Sequence, residues 1–145
     1  YIPVPTPAAH ATIMHLPVII GAIIQGPLVG AFVGLIFGIT SFFRMATPFF
    51  ADPVIAIIPR VLIGVVAGYS YKWLPGKSIK IILAAVMGSL TNTAGVLTLT
   101  AVRGYLEYRV AAGVALTHGI PEAIIVTLLT IAIVKGIRRA DLKLE

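Results

Sequence analysis

Two polar side chains lie deep inside long apolar segments, where lipid makes a polar group costly. Arg60 stands about eight residues into its segment, which is roughly 12 Å of depth on a helix that rises about 1.5 Å per residue. A central arginine costs about 2.5–3.5 kcal/mol to insert, so we expect Arg60 to face the bundle interior or a wet cavity. There it would contact an anion or a carbonyl of a ligand, or else backbone carbonyls of the protein itself.

The second polar side chain, Asn92, belongs to the stretch Ser89–Thr93 of the next apolar segment. Asn92 and Arg103 fall on one face of a helix, because steps of four, three and four residues connect them. We therefore expect both to point into one sector, with Asn92 deep and Arg103 at the outer mouth. An amide offers two donors and an acceptor, which suits an amide or hydroxyl ligand, and Thr93 adds a hydroxyl beside it. Interhelical hydrogen bonding is the alternative role for Asn92.

A third group of candidates, His10, Thr12 and His15, precedes the first apolar segment. The two histidines are five residues apart, which is poor spacing for two ligands on one helix face, and no carboxylate lies near them. We therefore predict no metal site, and interpret this stretch either as a loop over a binding cavity or as plain surface. The chain also has no cysteine, no nucleotide-binding motif and no nucleophile elbow, so we predict neither an enzyme nor a cofactor.

The amino-acid composition indicates a membrane protein rather than a soluble one. Of the 145 residues, 59% are hydrophobic and only 11% are charged, and the mean hydropathy is +1.04. A soluble domain carries about 25% charged residues, so a single integral membrane domain over residues 1–145 is predicted. The net charge of +6 does not indicate nucleic acid, because the basic residues lie at the ends of apolar runs rather than in one stripe with aromatics.

The elements that must position the polar residues are apolar helices. A membrane strand would alternate apolar and polar residues, and these segments do not. We therefore predict an all-α integral membrane protein, a compact bundle with five visible transmembrane helices. The first two helices are short for a span of about 20 residues and could form a tight hairpin within the membrane. The predicted helices are 12–24, 27–43, 52–74, 78–102 and 118–136. The last one opens with Pro121 and Glu122, which suit a helix start and its dipole.

The basic residues predict the orientation. Seven of them lie in or beside the 75–79 loop or in the C-terminal tail. These two regions share one side of the membrane if the spans alternate. Three others, Arg44, Arg103 and Arg109, lie on the opposite side. Because cytoplasmic loops are enriched in Lys and Arg, the tail is predicted to be cytoplasmic, and 1–11, 44–51 and 103–118 to face outside. An odd number of spans then puts the N-terminus outside, and a preceding helix, absent from this sequence, would restore a cytoplasmic one.

Glycines at positions 26, 30, 34 and 38 are spaced by four, and Gly64 and Gly68 repeat the spacing in the third segment. On a helix such glycines form a smooth ridge that lets another backbone approach closely. We expect the ridge to pack helices within the bundle, with a sliding surface or a partner helix as the alternative.

Several stretches together resemble the substrate-binding S components of energy-coupling factor (ECF) vitamin transporters. The resemblance lies in His10–Ala22, Gly34–Gly38, Pro59–Gly64, Gly88–Thr93 and Ile120–Ile124. It implies six helices with both termini cytoplasmic, so the first family helix, with its contact for the coupling subunit, is not found in this sequence. It further implies a bacterial plasma membrane location, a vitamin site in the outer half under outer loops, and three partners: a transmembrane coupling (T) subunit and two cytoplasmic ATPases.

Within that family the Thr-Asn-Thr stretch at 91–93 is most similar to the pantothenate-specific members. Pantothenate is an anion with an amide and hydroxyls, so Arg60 or Arg103 would suit its carboxylate and Asn92 its amide. The alternatives are another vitamin or a precursor such as hydroxymethylpyrimidine, and, outside this class, a membrane scaffold subunit without a small ligand. A stand-alone secondary transporter is disfavoured, since no mid-span carboxylate and no half-to-half repeat is evident.

Overall fold

The computed structural model describes residues 2–3, 10–11, 14–44 and 51–144, and in these ranges the protein is a bundle of helices. Two-residue strands Ile2–Pro3 (β1) and His10–Ala11 (β2) pair antiparallel before the bundle. The helices are α1 Leu16–Gln25, α2 Pro27–Arg44, α3 Pro53–Trp73, α4 Ile79–Val102, α5 Tyr108–Val114 and α6 Ile120–Leu144. A five-residue π-helical turn, Ala115–Gly119, joins α5 to α6. The predicted all-α membrane class is confirmed.

Within the described residues, four helical segments are long and apolar enough to cross a membrane. They are α2, α3, α4 and the continuous run Tyr108–Asp141, while α1 is a shorter apolar helix. The last segment begins ten residues before the predicted start at 118, so most of the stretch predicted as an outer loop is helical. Tyr108–Val114 is mostly apolar, and this favours a helix although Gly113 interrupts the pattern. The predicted start of the first segment, 12–13, lies outside the described residues.

Three of the four glycines of the predicted ridge lie at the contact between α2 and α3. A Cβ atom at Gly34 would overlap the backbone carbonyl of Arg60, and one at Gly38 would lie 2.7 Å from Cα of Ile57. Gly64 and Gly30 meet in the same way, backbone against backbone. The expectation of close packing within the bundle is therefore confirmed at these positions. Gly26 differs, because it ends α1 with a φ of +102°, and a Cβ atom there would have nothing within 4 Å.

Cross-helix contacts define the two ends of the bundle. At one end Arg138 of α6 donates a hydrogen bond to the Tyr71 hydroxyl, and the Lys80 ammonium lies 4.4 Å from the centre of the Tyr71 ring. At the other end Arg103 Nε donates to Asp52 Oδ2 over 2.6 Å. The α3–α4 loop and the C-terminal part of α6 therefore share one end, as alternating spans predict.

Candidate functional site

A buried carboxylate, Glu122 in the first turn of α6, is the centre of a polar cluster inside the bundle. The residue is 2% exposed. Asn92 Nδ2 donates to its Oε1 over 3.2 Å, and His118 Nε2 lies 3.0 Å from its Oε2. His15 Nε2, just before α1, lies 3.6 Å from Oε1, slightly beyond hydrogen-bond distance. Residues from three separate elements thus converge on one carboxylate.

Arg60 is the buried cation that accompanies this carboxylate. It is 5% exposed, its Nη1 donates to the Ile55 carbonyl over 3.2 Å, and its guanidinium carbon lies 5.4 Å from the centre of the Phe37 ring. The charges of Arg60 and Glu122 attract each other, and the charge of Arg60 also acts on His15. The site therefore holds one buried positive and one buried negative side chain. Buried ions of this kind persist only when paired or hydrogen-bonded.

Several polar atoms of the cluster, and two more on Ser89 of α4 and Thr127 of α6, are buried without a hydrogen-bond partner among the described residues. Each such atom costs about 1–3 kcal/mol if nothing satisfies it. The atoms are Asn92 Oδ1, Ser89 Oγ, Thr127 Oγ1, His118 Nδ1 and both ring nitrogens of His15. Ser89 and Asn92 are three residues apart and share a face of α4. A polar small molecule with both donors and acceptors would satisfy these atoms, whereas an apolar one would not.

The π-helical turn positions part of the cluster. It contains His118, which reaches Glu122 one turn later along the chain, and it ends at Gly119. A Cβ atom at Gly119 would lie 2.9 Å from Cγ2 of Thr93, so the turn packs directly on α4 beside Asn92. Thr93, a predicted site residue, therefore lies against the turn that carries His118. Single π-helical turns inside α-helices occur frequently at functional sites.

Arg103 is placed apart from Asn92, because Asn92 lies within α4 and Arg103 directly follows the last residue of that helix. Eleven residues of helix separate them, about 16 Å along the axis at about 1.5 Å per residue. Arg103 is half exposed and pairs with Asp52, which is buried and also caps α3 by accepting from the Val54 N–H over 3.0 Å. The Asp52 carboxylate thereby connects the start of α3 to the end of α4.

The remaining predicted site residues precede α1. His10 is in β2, Thr12 lies outside the described residues, and His15 is fully buried against Glu122. The structure thus brings together Arg60, Asn92 and His15 around a carboxylate that the sequence prediction did not include. Glu122 was assigned only to the helix dipole, and His118 only to a helix start. An available signal was the spacing of His118 and Glu122, four residues apart in an otherwise apolar segment.

The bundle also has an apolar groove between α3 and α4, with a volume of about 560 Å³. Its walls include Val66, Trp73, Leu83 and Met87, of which the last three are exposed on the outside of the bundle. Tyr69 and Ser70 also line the groove, but its exposed lining is almost entirely apolar, so it is not the candidate site for a polar ligand. Among the described residues, no group of His, Asp and Glu has an arrangement that could hold a metal ion.

Comparison with known proteins identifies the class. The family model described as the substrate-specific component of ECF transporters matches residues 1–134. The chain therefore belongs to the substrate-specific components of ECF transporters, which are substrate-binding parts of transporters and not enzymes. Together with the apolar helices, this membership makes it a multi-pass protein of the plasma membrane. The family also implies a coupling subunit, ATPase partners and a small-molecule vitamin as substrate.

Two relatives carry more specific names. The pantothenic acid transporter PanT of Lactococcus lactis subsp. cremoris is 36% identical over 155 aligned positions, which cover 89% of this chain and 78% of the relative. The pantothenate transporter PanT of Leuconostoc mesenteroides subsp. mesenteroides is 33% identical over 107 positions, 65% of this chain and 52% of the relative. No solved structure matches the chain.

Proposed function

We propose that this protein is the pantothenate-binding subunit of an ATP-driven importer. One observation carries the proposal: a polar cluster with one buried cation, one buried carboxylate and neutral amide, hydroxyl and imidazole groups lies inside an otherwise apolar bundle. Intramembrane ionisable groups mark substrate pathways and binding sites. The similarity to two proteins named as pantothenate transporters supports pantothenate as the cargo.

The chemistry of the ligand matches the cluster part by part. Pantothenate has a carboxylate at one end, an amide in the middle and two hydroxyls at the other end. Arg60 is the partner of the carboxylate in this proposal, since it is buried in the bundle and interacts with Glu122, whereas Arg103 is half exposed at the end of the bundle. Asn92 is the partner of the amide, because its buried Oδ1 accepts while its Nδ2 is held by Glu122. In this proposal Thr93 and His15 border the site, and His10 and Thr12 are candidate ligand contacts from the segment before α1.

The proposed orientation has the C-terminus in the cytoplasm of a bacterial cell. The end of the bundle with Lys80 and Arg138 carries the excess of basic residues, which favours the cytoplasmic side. The cluster then lies in the outer half. A transmembrane coupling subunit and two cytoplasmic ATPases complete the importer, and ATP hydrolysis belongs to those partners. Binding by this chain therefore requires no ATP.

Calorimetric titration of the purified protein in detergent, without partners or ATP, tests the proposal. Pantothenate is expected to bind with a nanomolar Kd, and Asn92→Ala to weaken it about tenfold to a hundredfold. That factor follows from losing a hydrogen-bonding amide between charged or polar partners, about 1.5–3 kcal/mol, since 1.4 kcal/mol is tenfold. Thr98→Ala is the matched control, a polar side chain on the exposed face of the same helix.

The thermal unfolding midpoint shows that each variant is folded before its affinity is compared. If the wild-type protein is folded and does not bind pantothenate, or binds another vitamin that pantothenate does not displace, the proposed cargo is wrong. If pantothenate binds and folded Asn92→Ala binds it equally well, Asn92 is not part of the site.

A further inference from the structure

The cluster around Glu122 contains a negative charge that recognition of an anionic ligand does not require. A carboxylate within a buried site repels a second carboxylate, and low local polarity strengthens that repulsion. Yet Glu122 is 2% exposed and is contacted by nitrogen atoms from α4 and from the π-helical turn. Such a residue holds the helices together, balances the buried charge of Arg60, or in addition contacts the ligand through a different group.

Arg60 and Glu122 are the positive and the negative pole of the site, and their charges attract each other. Arg60 is held on the α2–α3 side by the Ile55 carbonyl and the Phe37 ring, whereas Glu122 is held on the α4–α6 side by Asn92 and His118. An anionic group of a ligand is attracted to the first pole and repelled from the second. A hydroxyl group has the opposite preference, because it donates a strong charge-assisted hydrogen bond to a carboxylate.

Further hydrogen-bonding groups are carried by Asn92 and His118, which contact Glu122, and by Ser89, which shares a face of α4 with Asn92. Asn92 Oδ1, Ser89 Oγ and His118 Nδ1 are buried and have no hydrogen-bond partner in the described ranges. The amide oxygen is an acceptor, the hydroxyl is both donor and acceptor, and a neutral imidazole has one nitrogen of each kind. A ligand end with hydroxyl groups pairs with such a surface, and an apolar end leaves it unsatisfied.

We propose that Glu122 is a specificity-determining residue, whose carboxylate accepts hydrogen bonds from the hydroxyl end of the ligand and whose charge directs the ligand's own carboxylate toward Arg60. The inference rests on the proposed function and adds the direction in which pantothenate lies. The two hydroxyls of its pantoyl end lie at Glu122, and its β-alanyl carboxylate lies at Arg60. The site therefore selects anions that carry hydroxyls at the far end.

The test compares two ligands, pantothenate and an analogue that lacks both hydroxyl groups but keeps the amide and the carboxylate. The wild-type protein is expected to bind the dideoxy analogue at least a hundredfold more weakly. Glu122→Gln is expected to weaken pantothenate at least tenfold and to leave the dideoxy analogue equal or tighter, because the repelling charge is removed. Glu122→Asp keeps the charge on a shorter side chain, so it should retain part of the discrimination.

Glu107→Gln is the matched control, the same chemical change at an exposed glutamate before α5. It should leave both affinities unchanged. Equal weakening of both ligands by folded Glu122→Gln would overturn the inference, since Glu122 would then act only by holding Asn92 and His118. If Glu122→Gln does not fold, the wild-type protein alone still tests the inference. Equal affinities of the wild-type protein for pantothenate and the dideoxy analogue would overturn it. Absence of wild-type pantothenate binding would instead overturn the proposed function.

Discussion

Asp52 and Arg103 form an ion pair whose two members lie in different surroundings. The side chain of Asp52 is 3% exposed and that of Arg103 is 50% exposed. The pair is therefore partly screened, and its contribution lies between the 0–1 kcal/mol of surface pairs and the several kcal/mol lost when a buried pair is broken, at about 1–2 kcal/mol. Asp52 has a second role, because its other oxygen caps α3.

These two roles predict an order of stability among variants. Asp52→Asn keeps an oxygen that accepts from the Val54 N–H and loses only the ion pair, whereas Asp52→Ala loses the N-cap as well, a further cost of about 1 kcal/mol. Arg103→Ala added to Asp52→Asn should then cost almost nothing more. Thermal unfolding in detergent measures the order, and Arg109→Ala, an exposed arginine at the same end, is the control.

The affinity for pantothenate distinguishes this role of Arg103 from the one predicted at the mouth of the site. All of these variants are expected to bind pantothenate within about twofold of the wild-type protein, since Arg103 lies about 16 Å from Asn92 along α4. A large loss of affinity in Arg103→Ala but not in Asp52→Asn would show that Arg103 contacts the ligand.

Individual site residues could be predicted from sequence only in part. A lone arginine or asparagine in an apolar segment is visible, because its cost in lipid requires a buried environment, and Arg60 and Asn92 are indeed part of one cluster. Glu122 does not stand out in the sequence, since its position at a helix start has a sufficient local explanation in the helix dipole. Its role depends on His15 and Asn92, which are distant in sequence and meet it only after the bundle has formed.

The contact between helices was easier to predict from the sequence than the extent of the last membrane segment. A spacing of four places glycines on one helix face whatever surrounds them, and Gly30, Gly34 and Gly38 do pack against α3. The π-helical turn was not predicted. It packs closely on another helix, Gly119 against Thr93, a contact between residues distant in sequence.

The α2–α3 contact predicts a coupling between packing and binding. In Gly34→Ala the new methyl group would meet the carbonyl of Arg60, a backbone atom that cannot rotate away, so α2 and α3 must separate at the turn that carries Arg60. We expect a loss of stability of about 1–3 kcal/mol, typical of overpacking, and a weaker affinity for pantothenate. Thermal unfolding and calorimetric titration measure the two effects.

Gly136→Ala is the matched control for this substitution. Gly136 is also helical, but a Cβ atom there would have nothing within 4 Å. Alanine is better than glycine in a helix interior by about 1 kcal/mol, so this variant should be equally or more stable with unchanged affinity. If Gly34→Ala behaves like Gly136→Ala, the close approach of α2 and α3 is not required by the fold.

The distribution of charge over the whole molecule predicts which end of the bundle faces the cytoplasm. One end carries Lys80 and Arg138 around Tyr71, with further basic residues in the α3–α4 loop and the tail, and the other end carries the Asp52–Arg103 pair. In the sequence, seven basic residues belong to the first end and three to the other end. Since basic loops are retained in the cytoplasm, the first end should be cytoplasmic, and the Glu122 cluster should open toward the outside.

The absence of cysteine from the sequence makes this orientation directly measurable. Single cysteines replace Ser78 between α3 and α4 and Glu107 before α5, both exposed and at opposite ends of the bundle. In intact cells a membrane-impermeant maleimide is expected to label Glu107→Cys, and to label Ser78→Cys only after the membrane is permeabilised. The unchanged protein should not react in either case. The reverse pattern would place the C-terminal end outside, and the polar cluster would then open toward the cytoplasm, which contradicts uptake through an outward-facing site.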